Sequence, residues 1–169
     1  KGDDEQPKTE LEKLPPATQT GANTAGCLVN GVAFLPKGYI TTGNLVCNYI
    51  DGEDFVLSIG ERIIQGSSDI MRDVSFGSQN QNLHDNVGTT YTLGKNNFDG
   101  NSKYGNYIIY DNNSSSEINY ETNSIVTGEF KITYHNFNNA IISGTFWFDA
   151  INSNGEIVKV REGRFDMHY

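Results

Sequence analysis

This sequence has little of what several common classes of protein require. Among its 169 residues are only two cysteines, three histidines and one tryptophan. Two cysteines cannot form a tetrathiolate zinc site, and no histidines have the H-x-x-x-H or H-E-x-x-H spacing of a metal site on a helix. The G-x-S-x-G sequence of a nucleophile elbow and the P-loop sequence are absent as well. We therefore predict no metal and no cofactor, with His84, His135 and His168 at the surface or rim of the fold.

Basic residues are also scarce. Twelve lysines and arginines are outnumbered by twenty-one aspartates and glutamates, which gives a formal net charge of −9. Nucleic acids and anionic lipid surfaces are recognised by clustered positive charge, so we exclude both as direct partners. No run of about 18 apolar residues occurs, and no segment is therefore predicted to span a membrane as a helix. The only membrane contact compatible with this sequence is a lipid anchor that lies outside it.

What the sequence does contain is a series of short alternating segments separated by turns. Apolar residues recur at every second position, which is the period of a strand with one buried face. The pattern is clearest in the C-terminal meander over 128–169, where Phe130, Ile132 and Tyr134 share one face of a strand. The dipeptide Asn154-Gly155 then favours a tight hairpin turn. We predict an all-β domain of about ten to twelve antiparallel strands with little helix.

Two architectures are compatible with such strands. We favour an antiparallel β-sandwich, because segments such as NYIIY are apolar on both faces and need cover from both sides. The alternative is a closed β-barrel like that of the lipocalins. Residues 1–25 have few apolar side chains, so we predict a polar tether there and a single all-β domain over 26–169. Apolar parity changes between Val160 and Phe165, which predicts a β-bulge at Gly163.

Strand parity also identifies candidate site residues. Trp147 points away from the phenylalanines on either side of it. It is either a platform for stacking a sugar or anchoring a partner, or a side chain covered by a loop, the lead-in or a second sheet. Asp149, Glu162 and Asp166 lie on predicted strands and would permit the carboxylate pair of a glycosidase. The alternative is that these carboxylates serve solubility and protect strand edges.

Cys27 and Cys47 both fall in predicted strands. A disulfide between them would close a loop of about twenty residues and contribute about 3 kcal/mol, whereas two free thiols would pack as small apolar side chains. The segments FDGNSKYG and DNNSSSE contain oxygen ligands of the kind that calcium takes, but neither matches the EF-hand pattern. We favour the alternative, in which these side chains bond to the backbone of their own loops.

The segments LPPATQTGANTAGCLVNGVAFLP and ISGTFWFDAINSNGEIVKVREGRFDMHY resemble the two ends of a family of uncharacterised lipoproteins from Bacteroidetes, a domain of unknown function. In such proteins a lipidated cysteine precedes the mature chain. KGDDE resembles the Lys-plus-acidic signal that sends lipoproteins of this group to the cell surface. The chain starts at Lys1 without a methionine, as a trimmed mature form would. The resemblance implies an exported protein, an outer-membrane or cell-surface lipoprotein, with no activity to carry over.

The function classes that remain follow from these observations. The favoured hypothesis is a non-catalytic cell-surface module that binds a glycan or a protein, with Trp147 as its candidate ligand-binding residue. One alternative is an envelope hydrolase that uses paired carboxylates. Another is a carrier of a hydrophobic ligand, which would require the sheet to close into a barrel with an apolar interior.

Overall fold

The computed structural model describes residues 7–39 and 43–169, and these residues form an almost entirely β-stranded protein. A single 3₁₀ turn, Leu11–Lys13, precedes eleven strands. In chain order these are β1 (Thr24–Val29), β2 (Val32–Phe34), β3 (Leu45–Ile50), β4 (Asp54–Gln65), β5 (Ser68–Gln79), β6 (Thr90–Leu93), β7 (Lys103–Asp111), β8 (Ser116–Glu121), β9 (Gly128–Asn136), β10 (Ile141–Ile151) and β11 (Ile157–His168). The predicted fold class and strand number are confirmed. The described helical segment is far too short to cross a bilayer.

All eleven strands belong to one antiparallel sheet. Its order is β2-β1-β11-β10-β8-β7-β5-β4-β3, while β9 pairs with β10 and β6 pairs with β9. Within the described residues, β2 and β3 at the two ends of this order do not pair with each other, so the sheet does not close into a barrel. The sheet instead folds over, and its two halves face each other in a sandwich-like arrangement, as predicted. One continuous sheet provides both halves.

Aromatic side chains fill the space between the two halves. Phe55 and Phe76 from β4 and β5 contact Phe130 and Phe165 from β9 and β11, with ring centroids 5.4 to 6.0 Å apart. Phe148 of β10 is fully buried in the same core. Burying each such side chain stabilises the fold by about 2–3 kcal/mol. Parity therefore predicted the buried face of the meander correctly up to Ile132 in β9 and along β10 and β11. Tyr134, which was predicted to share a face with Ile132, lies on the opposite face, because a second register shift leaves Thr133 without a partner between them.

The predicted bulge is present in β11. Val160 pairs with Phe148 of β10, and Gly163 pairs with Phe146. The two residues of β11 between them therefore lie opposite a single residue of β10, Trp147. Glu162, the second of the extra pair, has a φ of 55°, in the left-handed region. Because the bulge absorbs one residue, both Val160 and Phe165 can point into the core.

The described part of the predicted tether lies against the domain. Leu14 is buried, and the N–H of Ala33 in β2 donates to the Glu10 carboxylate at 2.8 Å. Strand β1 begins at Thr24, two residues before the boundary set from the sequence. The KGDDE segment lies outside the described residues.

Cys27 and Cys47 are free thiols in this structure, on β1 and β3. Cys27 is fully buried in the core and Cys47 is half-buried. Burial raises the pKa of the Cys47 thiol to about 12 and raises that of Cys27 further. Both side chains are therefore neutral and unreactive at physiological pH.

Candidate functional site

A surface groove of about 570 Å³ runs along the outer face of the C-terminal meander. Trp147 of β10 lies in it with 37% of its surface exposed, pointing outward as its parity predicts. The strands on both sides of β10 supply most of the remaining walls. Lining residues, besides Trp147, are Ala17, Thr90, Glu129, Phe130, Lys131, Thr145, Phe146, Arg161, Glu162, Gly163 and Arg164.

Neighbouring side chains fix the position of the Trp147 ring. Its indole N–H donates to the Glu129 carboxylate on β9 at 3.3 Å. The guanidinium of Arg161 on β11 lies 5.2 Å from the ring centroid, within the range of a cation–π contact. Arg161 is held in turn by the Asp149 carboxylate at 2.6 Å. The ring is thus both partly exposed and preorganised, which lowers the entropy cost of binding a ligand on it.

The β-bulge shapes this groove. Because the two bulged residues oppose Trp147, β11 bends and the side chains beside the bulge are redirected. Gly163 forms part of the floor, where a Cβ would lie 2.5 Å from the Phe146 carbonyl oxygen. A glycine is therefore required at this point of close approach between β10 and β11.

Basic side chains are concentrated in the groove relative to the rest of this acidic protein. Three lining residues are basic, namely Lys131, Arg161 and Arg164, and two are acidic, namely Glu129 and Glu162. Arg164 pairs with Glu162 at 3.3 Å. Lys131 is exposed and forms no salt bridge with any described residue. The groove thus presents free hydrogen-bond donors beside an aromatic ring.

The carboxylates considered for hydrolysis are each engaged elsewhere. Asp149 holds Arg161, and Glu162 pairs with Arg164. Asp166 is 1% exposed and lies beneath the N-terminal lead-in. Its donors are Thr18 Oγ1 (2.6 Å), Thr20 N (2.9 Å), Gly21 N (2.8 Å), Ala22 N (3.1 Å) and Ser143 Oγ (2.8 Å).

These donors determine the ionisation of Asp166. Burial alone would raise its pKa, but the hydrogen bonds from Thr18, Thr20, Ser143 and Gly21 outweigh burial and hold the pKa well below its ordinary value. Asp166 is therefore ionised at neutral pH and serves as an acceptor for the lead-in. Proton donation to a leaving group needs a carboxyl that is protonated at working pH, which Asp166 is not.

Comparison with known protein families gives one assignment. The model of the family described as Domain of unknown function (DUF6252) matches residues 56–167. The chain belongs to this family. No curated protein and no solved structure gives a significant match. The matched region contains the meander as far as Met167 and every lining residue of the groove except Ala17, while the lead-in and β1 to β3 precede it.

Two of the three histidines form a cluster that sequence reasoning missed. The rings of His84 and His135 meet edge to face at 4.9 Å, and Nε2 of His135 lies 2.9 Å from the hydroxyl of Tyr169. Burial, with a smaller effect of His84, lowers the pKa of His135. Within the described residues, no group of three or more metal-ligating side chains is present. These contacts join residues far apart in the chain, so no local signal predicts them.

A buried carboxylate on β4 was also missed. Glu61 is 2% exposed and pairs with Lys37 at 2.7 Å and with Arg72 on β5. A signal for this residue does exist in the sequence, because Glu61 has the same parity as the buried residues Leu57 and Ile59. An acidic residue in phase with an apolar face predicts either a paired buried charge or the end of the core.

The two loops considered for calcium have their oxygens engaged locally. Asp99 accepts from the backbone of Asn101 at 3.0 Å and from the Ser102 hydroxyl at 3.2 Å. Asp111 accepts from the backbone of Asn113 at 2.8 Å. Both patterns are Asx-type bonds within the loop, which is the alternative favoured from the sequence.

Proposed function

We propose that this domain is a non-catalytic binding module of an exported lipoprotein, and that it binds a glycan through the groove at Trp147. The observation that carries the proposal is the fixed, partly exposed indole on the floor of an open groove. Sugar rings present C–H faces that stack on aromatic rings, and their hydroxyls pair with nearby polar side chains. Thr90, Thr145 and Lys131 supply such groups around the ring.

The engagement of the nearby carboxylates supports binding over hydrolysis. A glycosidase needs one carboxyl as acid and another as base or nucleophile on either side of the bond that breaks. Asp149 and Glu162 are each paired with an arginine, and Asp166 is covered by the lead-in. The filled aromatic core argues in the same way against a carrier of a hydrophobic ligand, because its centre is occupied by side chains such as Phe76.

Glycan binding can be tested with the intrinsic probe that the chain provides. Trp147 is the single tryptophan, so its fluorescence reports directly on the groove. We expect a screen of polysaccharides on an array to identify a ligand that shifts the emission of Trp147. Trp147→Ala, which has no tryptophan emission and is therefore measured on the array, should weaken binding about five- to 150-fold, since stacking contacts of this kind contribute about 1–3 kcal/mol.

The matched control is Phe98→Ala. Phe98 is 84% exposed and lies outside the groove, so its removal deletes an exposed aromatic ring without altering the site. Equal loss of binding in both variants would contradict the assignment of the groove. Turnover of a glycoside, lost on mutating Asp149 or Glu162, would replace the binding proposal with the hydrolase alternative.

We also propose that the full protein is a lipoprotein of the Bacteroidetes type, located in the outer membrane or at the cell surface. The polar, acidic composition of residues 1–13 supports a spacer between a lipid and the domain. The test expresses the complete gene with its own leader and labels it with a fatty-acid analogue. We expect incorporation of the label and digestion of the domain by protease added to intact cells. An unlabelled or fully protected protein would refute this location.

A further inference from the structure

The two edge strands of the sheet differ in how well they are protected against pairing with another chain. Strand β2, at one end, has three residues, and the N–H of Ala33 is bonded to the Glu10 carboxylate. Strand β3, at the other end, has six residues with the sequence LVCNYI, which contains no charge and no proline. Short length, charged side chains and proline are the usual means by which edge strands avoid pairing with other chains. β2 is protected in this way and β3 is not.

The hydrogen-bond register shows which backbone groups of β3 face outward. The carbonyl of Asn44 accepts from Gly60 N–H at 2.6 Å, so these two residues form a bonded pair in line with the β3–β4 ladder. Bonded and non-bonded pairs alternate along an antiparallel ladder. The groups that face away from β4 are therefore those of Leu45, Cys47 and Tyr49. No described residue forms a backbone hydrogen bond with them.

The side chains along this edge suit a close approach by another strand. Val46 and Ile50 are each 48% exposed on the outer face of β3, and Asn48 lies between them. On the inner face, Leu45 and Cys47 pack against the core but remain partly exposed. The edge thus combines unpaired backbone groups with apolar surface on both faces, which is the template for strand addition.

We propose that β3 is a homodimerisation edge, where β3 of a second copy pairs antiparallel with it about a two-fold axis near Cys47. This register places Leu45 of one copy opposite Tyr49 of the other and forms about six backbone hydrogen bonds. It joins two sheets of eleven strands into one continuous sheet.

Charge placement favours a second copy as the occupant. The acidic turn after β3 carries Asp51 and Glu53. Lys37 lies on the same edge beyond the start of β3; its ammonium is 2.7 Å from the Glu61 carboxylate on β4, and 60% of its side chain remains exposed to a second carboxylate. The antiparallel arrangement brings Asp51 of each copy to about the level of Lys37 in the other. The strand itself is uncharged, so no like charges oppose each other along the paired residues although each molecule has a net charge of −9.

The test compares the same substitution at the two edges. Val46→Glu places a carboxylate on β3, and Val32→Glu places one on β2, so both variants have the same net charge. We expect the parent chain to sediment as a concentration-dependent dimer of 18.7 kDa subunits. Val46→Glu should weaken dimerisation about tenfold or more, and Val32→Glu should leave it unchanged. Ile50→Glu replaces Val46→Glu if circular dichroism shows that the latter is unfolded.

Hydrogen exchange gives a second readout that tests the register. The amides of Val46, Asn48 and Ile50 are bonded to β4 in each copy, so their exchange should not depend on protein concentration. The amides of Leu45, Cys47 and Tyr49 should exchange fast in dilute solution and slowly at high concentration. A parent chain that stays monomeric up to about 500 μM with these three amides unprotected would overturn self-pairing and leave the edge to a foreign strand. Equal disruption by Val32→Glu would overturn it too.

Discussion

The hairpins β4–β5 and β10–β11 are of nearly equal length but differ in regularity. β4–β5 pairs residue for residue from Asp54 to Gln65 with no register shift. β10–β11 has the bulge opposite Trp147. The regular hairpin extends past the core and ends in exposed residues such as Ile64, held together by ion pairs. The irregular hairpin has an apolar inner face along most of its length and forms the groove on its outer face. The one extra residue of the bulge in β11 is thus the difference between a regular hairpin and a hairpin that forms a groove.

The largest expected effect contrasts the apolar parts of the two hairpins. Phe148→Ala in β10 removes a fully buried ring and should lower the free energy of unfolding by about 3–5 kcal/mol. Ile64→Ala at the exposed end of β4 should change it by less than about 0.5 kcal/mol. Urea denaturation midpoints measure both. Similar midpoints for the two variants would show that the meander is not the stable centre of the fold.

The next effect contrasts their ion pairs. Glu61→Ala leaves Arg72, whose side chain is 32% exposed, without its partner and should cost about 1.5–3 kcal/mol. Asp149→Ala breaks a pair with Arg161 that is partly exposed and should cost about 0.5–1 kcal/mol. The same urea experiment gives both values. A larger cost for Asp149→Ala would show that the groove pair has a greater structural role than its exposure indicates.

Asp166 allows a pH-dependent test of how the meander holds the lead-in. Its pKa is lower in the folded than in the unfolded protein, where an aspartate titrates near about 3.9. Its stabilising effect is therefore complete above that pH and is lost as the pH falls. Asp166→Asn should cost about 2 kcal/mol at pH 7, and the difference from the parent should shrink below about pH 4. A difference that stays constant down to pH 2 would contradict the assigned ionisation.

The smallest effect concerns His135 at the end of β9. The pKa of His135 is lower in the folded than in the unfolded protein, so folding favours the neutral ring. The contribution of His135 to the free energy of unfolding is therefore present above about pH 6.5 and is lost as the pH falls. We expect the parent to lose less than about 1 kcal/mol relative to His135→Phe between pH 7 and pH 5, because the ring is only half-buried. Thermal melts across this range give the comparison. A gain in relative stability on acidification would reverse the predicted sign.

The alternation of apolar residues predicts features that are decided within a single strand. It predicted most of the buried face of the meander, the outward direction of Trp147 and the bulge beside Gly163, because each depends on neighbours within one strand. It missed the second bulge, at Thr133, which places Tyr134 on the opposite face from Ile132. It could not predict that a single sheet supplies both halves of the sandwich, since alternation does not reveal which strands pair. It could not predict the contact of His84 with His135 or the bonds from residues 18–22 to Asp166 either, because these residues are far apart in the chain.

The pairing of β1 with β11 determines how the domain would respond to a mechanical load. Thr24 lies beside Asp166 and Val29 beside Val160, so the first and last strands run antiparallel at one side of the meander. A pull on the N-terminus is met first by the contacts of Glu10 with Ala33 and of the buried Leu14, and then by the bonds between residues 18–22 and Asp166. Because Thr24 and Asp166 are partners at one end of the β1–β11 ladder, tension between the two termini then reaches the ladder at that end and opens its hydrogen bonds one pair after another. The contacts of the lead-in are therefore what protects the ladder from tension at an anchor.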